Sequence, residues 1–241
     1  MTKIVLVTGG NQGIGYEACK KFANLEGYHL ILTSRNEERG KEAIEKLIKE
    51  TKATEITYFK LDVTNDEHVL KCKEFVLEKF GKLDVLVNNA GILNGWGTFE
   101  NFFKESMESF IQTFDINLYG VIRMLKAFVP IMIEKGYGRV INLSSEFGNI
   151  KNLTEWKQGV SAYRLSKYSL NGLVRIVTSQ MPENVDVQIN NIHPGWCKTR
   201  MGTQQAPQEP EVAARTIVWL AEQDENFGTG GFYMDKKPID W

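Results

Sequence analysis

The chain has 241 residues, 42% hydrophobic and 24% charged, with a formal net charge of −1. That length buries a full core in one domain without metal or disulfide staples, and the balanced charge leaves no electrostatic footprint for nucleic acid or an anionic membrane. Three cysteines, Cys19, Cys72 and Cys197, are odd in number and far apart, which argues against a disulfide framework and fits a reducing compartment.

The chain opens MTKIVLVTGG, an apolar run with no basic region or cleavage site before it. The expectation is therefore no signal peptide and a cytoplasmic location, and no run is expected to reach the length of a membrane span. Further on, KIVLVT (3–8), HLILTS (29–34), ITYFKL (56–61), LDVLVN (83–88), RVINLS (139–144) and DVQINNI (186–192) are too short for helices and rich in β-branched residues, and they read as strands. Helical periodicity fills 13–25, 36–50, 66–80, 105–134, 162–180 and 210–222. In 36–50, Ala43, Ile44, Leu47 and Ile48 share one face. Asn65 and Gly81 stand where caps for 66–80 belong.

Strand–helix alternation with nearly all-apolar strands predicts a parallel sheet covered on both faces. The expected architecture is α/β: a doubly wound, Rossmann-type sheet of about seven strands forming a single domain over 1–241. Its ligands bind at the carboxyl ends of the strands. The stretch TRMGTQQAPQEP (199–210) lacks periodicity and suits a loop acting as a lid over a site.

The first loop, VTGGNQGIGYEA, carries Gly9, Gly13 and Gly15 from the first strand into the first helix, with Asn11, Gln12 and Ile14 between them. The glycines permit a tight turn and close backbone approach, and the helix N-terminus supplies N–H groups and positive potential, so the loop is expected to hold a pyrophosphate. The end of the second strand says which dinucleotide. An NAD site offers a carboxylate there to the ribose 2′-hydroxyl; this chain has Ser34 and Arg35. A guanidinium binds a 2′-phosphate bidentately, so NADPH/NADP+ is the expected cofactor.

With TGGNQGIG (8–15), NNAG (88–91), Asn117, a serine after the fifth strand and YRLSK (163–167) in order, the chain resembles the short-chain dehydrogenase/reductase superfamily. Within it the likeness is strongest to NADPH-dependent carbonyl reductases, carried by GRVINLSS, SAYRLSK, HPGWCKTRMG and the ending TGGFYMDKKPIDW. The resemblance implies that Asp62 and Val63 lie against the adenine and that Asn89, Ala90 and Gly91 line the adenosine ribose. It implies that Pro194, Gly195, Trp196 and Thr199 hold the nicotinamide edge. It further implies that Tyr163 protonates a carbonyl oxygen, that Ser145, favoured over Ser144 by the spacing to Gly148, holds that oxygen, and that Asn117 holds a water linking Lys167 to solvent.

Positions i and i+4 of a helix share a face, which brings Lys167 to Tyr163. A free phenol titrates near ~10, and lowering it by two or three units takes roughly 3–4 kcal/mol of preferential phenolate stabilisation, within reach of one close cation and a nicotinamide charge in a partly buried site. The expectation is that Lys167 lowers Tyr163 into the working range.

The resulting function is an NADPH-dependent reductase acting on a small-molecule aldehyde or ketone. An NAD(H)-dependent alcohol dehydrogenase and a non-catalytic NADP(H) sensor are the competing readings. The three histidines fit no metal-ligand spacing, and His193 reads as structural. Gln12 stands where NADPH-dependent relatives carry a cation. Cys197 is read as a packing residue beside the nicotinamide pocket that is open to alkylation. The insertion 146–162 is much shorter than in mammalian-type carbonyl reductases, which leaves monomer and homo-oligomer both open. Trp96, Phe147, Trp156 and Trp196 suggest an apolar cleft.

Overall fold

A computed structural model describes residues 2–95, 101–154 and 159–241. Trp96, Trp156 and part of the 146–162 insertion lie outside these residues. The strands are β1 (Lys3–Val7), β2 (Tyr28–Ser34), β3 (Ile56–Lys60), β4 (Val85–Asn88), β5 (Tyr137–Leu143), β6 (Asp186–Ile192), β7 (Phe232–Met234) and β8 (Lys237–Pro238). They form one sheet in the order β3-β2-β1-β4-β5-β6-β7-β8. All neighbours are parallel except β7 and β8, which form an antiparallel pair through Tyr233 and Met234. The expected sheet is present, and β7 and β8 were too short to show in the sequence pattern.

The helices are α1 (Gly13–Ala23), α2 (Glu37–Thr51), α3 (Asp66–Phe80), α4 (Met107–Phe114), α5 (Gly120–Lys135), α6 (Ser161–Ser179) and α7 (Pro210–Ala221). Caps set several boundaries. Asn36 accepts from the Arg39 N–H at 2.9 Å, Asn65 accepts from the His68 N–H at 3.0 Å, and Gly81 closes α3 at φ +72°.

Because β1, β4 and β5 are apolar on both pleat faces, the sheet carries two cores. One packs Leu6, Leu86 and Val140 against Val76, Met124, Phe128 and Leu170 from α3, α5 and α6. The other packs Val5, Val87 and Ile141 against Phe22, Leu47 and Ile217 from α1, α2 and α7. The chain winds outward from β1 to β3 and then from β4 to β8, so the connections diverge between β1 and β4. The crevice opens there, at the carboxyl ends of the strands.

The segment expected as one helix over 105–134 starts at Met107, because the Ser106 hydroxyl caps it, and it is interrupted by a π-helical turn at Asp115–Tyr119. Gly120 N–H bonds the Asp115 carbonyl five residues back. Contrary to expectation, Met107–Lys135 is long and apolar enough to cross a membrane by length and composition. Its apolarity is accounted for by packing of α5 against α3, β4 and β5 in the core.

Candidate active site

A groove of about 390 Å³ follows the crevice. Its floor is the β1–α1 loop. Gly13 sits at φ +58°, where an L side chain is strained, and a Cβ there would press to 3.1 Å from Thr199. Gly9, Asn11, Gln12 and Ile14 line the groove beside it. Gly15 does not line it: its missing side chain lets α1 approach the next strand, since a Cβ would fall 2.4 Å from Asn89 Nδ2.

That amide fixes the loop. Asn89 Nδ2 donates to the carbonyls of Thr8 (2.8 Å) and Gly9 (3.0 Å), and the Ala90 N–H donates to Thr8 Oγ1 at 3.0 Å. The NNAG segment therefore ties β4 to the glycine loop while Asn89, Ala90 and Gly91 also line the groove.

Beyond the ends of β2 and β3, Arg35, Asp62 and Val63 line the wall of the groove. Arg35 is exposed and makes no ion pair with the described residues. Ser34 is a correction: it is buried, and its hydroxyl donates to the Asn36 carbonyl at 2.7 Å, at the start of α2, so it does not face the groove.

At the opposite end stand Tyr163 and Lys167, both on α6. Tyr163 hydrogen-bonds Ser145, and the ring of Phe147 stands at 90° to it with centroids 6.4 Å apart. Ser144, not Ser145, lines the groove, but its hydroxyl is engaged, donating to Asn171 Oδ1 at 2.6 Å, while Ser145 reaches the Tyr163 hydroxyl. Lys167 Nζ lies 5.6 Å from the Tyr163 ring centroid and donates to the Leu143 carbonyl at 2.6 Å.

The electrostatics run against expectation. Burial raises the Tyr163 phenol to about 12, only partly offset by the Ser145 hydrogen bond, and burial lowers the Lys167 ammonium to about 8. Lys167 aims its charge at a strand carbonyl and the ring face, so desolvation dominates at the hydroxyl.

Asn117 occupies the π-helical turn, fully buried. Its side chain accepts from the Ile92 N–H at 2.8 Å and donates to the Ile92 carbonyl at 2.9 Å and to Ser166 Oγ at 3.1 Å. Two of these bonds hold the chain just after NNAG and the third ties the π turn, a feature common at functional sites, to α6. The amide thus clamps the groove wall.

Past β6, Pro194 and Thr199 line the groove. Gly195 and Trp196 do not. Gly195 turns at φ +76° against Gln208, and the Trp196 indole, 44% exposed, donates to the Gly202 carbonyl at 2.6 Å. Cys197 is buried and its thiol is pushed up to about 11, which removes the expected openness to alkylation. His193 is buried behind the site and bonds Tyr233 through its backbone, as a structural residue does. Leu61, Ile92, Leu93, Asn94, Ile116, Leu143, Arg200 and Met201 also line the wall and were missed. Adjacency to a motif residue was the one signal they carried: Leu61 to Asp62, Ile92 to NNAG, Ile116 to Asn117, Leu143 to the strand-five serines and Arg200 to Thr199.

A family model described as short chain dehydrogenase matches residues 3–210. The (+)-neomenthol dehydrogenase of Arabidopsis thaliana is 32% identical over 98% of this chain and 97% of its own length. Carbonyl reductase (NADPH) 1 of Mus musculus is 29% identical over 99% of this chain and 98% of its own. The NADPH-bound carbonyl reductase from chicken fatty liver superposes with a TM-score of 0.86 at 25% identity, covering 100% of this chain and 99% of that one. The match with the Arabidopsis protein runs over 291 positions against 241 residues here, so that relative carries segments this chain lacks. From one end of the groove to the other, this chain is a member of the short-chain dehydrogenase family.

Proposed function

We propose that the protein reduces an aldehyde or ketone to an alcohol with NADPH, Tyr163 giving the proton. One observation carries the reading: at the end of a groove floored by a glycine loop, a phenol is hydrogen-bonded to a serine with a lysine beside it. The groove fits a phosphorylated dinucleotide. Gly13 leaves the backbone open to a phosphate, and Arg35, without an ion-pair partner among the described residues, offers its guanidinium where the ribose would lie. NADPH bound there supplies the hydride.

Ser145 holds the carbonyl oxygen beside the phenol, and Tyr163 releases its proton to that oxygen as it gains charge. A phenol raised to about 12 keeps its proton throughout the neutral range and so is present as the acid that carbonyl reduction needs. Lys167, charged below about pH 8, sits behind the phenol to support its reprotonation. Asn117 fixes the wall through its bonds to Ile92 and, as the resemblance implies, holds a water linking Lys167 to solvent. The segment 199–210 acts as a lid, bringing Arg200 and Met201 over the groove. Leu93, Met201 and the relatives' names support an apolar carbonyl compound as substrate.

Following NADPH absorbance with aromatic aldehydes, cyclic ketones, diketones and quinones tests the reading. Tight NADPH binding with no turnover of any carbonyl would favour a sensor instead. Arg35→Asp is expected to shift the NADPH-to-NADH affinity ratio by about ten- to a hundredfold toward NADH, the worth of one charge-assisted contact. Titration with 2′,5′-ADP and 5′-AMP reads this without turnover, and an unchanged ratio would remove Arg35 from the 2′-phosphate site.

A further inference from the structure

The helix that carries Tyr163 begins without a cap of its own. Its N-cap position is Val160, which has no side-chain oxygen for the first amides and lies at φ +54°. β-Branched residues seldom occupy that left-handed region. Gly159 before it is left-handed too, at φ +74°. The first N–H groups of a helix need acceptors from outside it. Tyr163 is the third residue of α6, so slack in this turn passes directly to the phenol.

The acceptor comes from far upstream. The Glu105 carboxylate accepts from the Ser161 N–H at 2.8 Å through Oε2 and from the Ala162 N–H at 3.2 Å through Oε1. Ser109 Oγ donates to the same Oε1 at 3.2 Å. Glu105 directly precedes Ser106, whose own hydroxyl caps α4 by accepting from the Ser109 N–H at 3.2 Å. The starts of α4 and α6 therefore meet at one carboxylate, and the two helices pack together. A carboxylate suits that place: the helix dipole presents positive potential there, and charge-assisted N–H···O bonds are roughly twice as strong as neutral ones.

We propose that Glu105 is a positioning residue for carbonyl reduction: its two-pronged cap fixes the strained first turn of α6 and so sets the Tyr163 hydroxyl against Ser145. The inference rests on the reading of Tyr163 as the proton donor. It assigns to a side chain outside the groove a share of the alignment that proton transfer needs.

The test uses Glu105→Ala and the isosteric Glu105→Gln, which retains one acceptor oxygen and keeps the measurement possible should the alanine variant fail to fold. Backbone amide exchange at 161 and 162 and steady-state reduction of a carbonyl found for the wild type are both read. In Glu105→Ala those amides exchange about tenfold faster as the turn opens locally. kcat falls by about ten- to a hundredfold from misalignment, while KM for the carbonyl and Kd for NADPH move less than about twofold. Glu105→Gln restores most of kcat. Unchanged exchange overturns the inference, and so does faster exchange with wild-type kcat, which is the signature of a cap that only stabilises. A wild type that binds NADPH but reduces no carbonyl sinks the functional reading itself, a result distinct from either failure of the variants.

Discussion

Tyr163→Phe is expected to lower kcat by about 10²–10⁴-fold, the usual worth of a positioned general acid. Phe keeps the ring against Phe147 and deletes only the hydroxyl that Ser145 contacts. The fold loses one hydrogen bond of about 0.5–1.5 kcal/mol, so the thermal midpoint should fall by no more than a few degrees. NADPH affinity should stay within about twofold, because the glycine loop and Arg35 are untouched. The comparison is made at saturating NADPH with the best carbonyl of the panel. A variant that keeps a third or more of wild-type kcat would mean that water or another group delivers the proton, and the proposed role of Tyr163 would be lost.

The parts of this site that could be read beforehand are those whose geometry is local. The strands show as short apolar runs because both faces of a parallel sheet are buried, so no polar alternation confuses the pattern. Asn65 and Gly81 could be placed because a cap acts within four residues. Gly9 and Gly13 were legible for the same reason: a turn into a helix needs a residue that tolerates positive φ, and position in the chain supplied the rest.

What failed to show depends on contacts made across the fold. Ser34 and Arg35 are adjacent, yet only Arg35 reaches the groove, because the Ser34 hydroxyl turns to the Asn36 carbonyl and approaches the Tyr58 hydroxyl at 3.3 Å. The π-helical turn at Asn117 adds one residue to a turn, which apolar periodicity over 105–134 cannot register. Burial raises the Tyr163 phenol, and Lys167 alone does not lower it. Helical spacing correctly brings Lys167 onto the same face, but where its ammonium points is decided by the Leu143 carbonyl on β5, and how dry the phenol is depends on packing around it. Proximity was read correctly; the competition between burial and charge was not.

That competition yields the second large effect, on stability. Lys167 is 5% exposed, and burial brings its ammonium from 10.5 to about 8. At neutral pH it is charged in both the folded and unfolded chain, and the shift corresponds to a cost of about 3 kcal/mol to the folded state. Lys167→Met removes that cost but leaves the Leu143 carbonyl without its donor, a loss of about 1–2 kcal/mol. The cofactor-free variant is therefore expected to be more stable than the wild type by about 1–2 kcal/mol at pH 7, raising the midpoint by about 2–6 °C.

The difference should shrink with alkalinity. Between pH 8 and 10.5 the folded wild type sheds the proton while the unfolded chain still holds it, so the unfolded state binds more protons and the wild type gains stability as pH rises. Carbonyl reduction should meanwhile fall by at least about 10²-fold, since the phenol loses the ammonium that supports its reprotonation. Thermal melts of both proteins at pH 7 and pH 10 decide the matter. A variant less stable than wild type at pH 7, or an advantage that persists undiminished at pH 10, would show that the buried ammonium is compensated by the fold. A stabilised but inactive protein would instead mark Lys167 as a charge kept in the interior against folding stability, which only a role in the reaction explains.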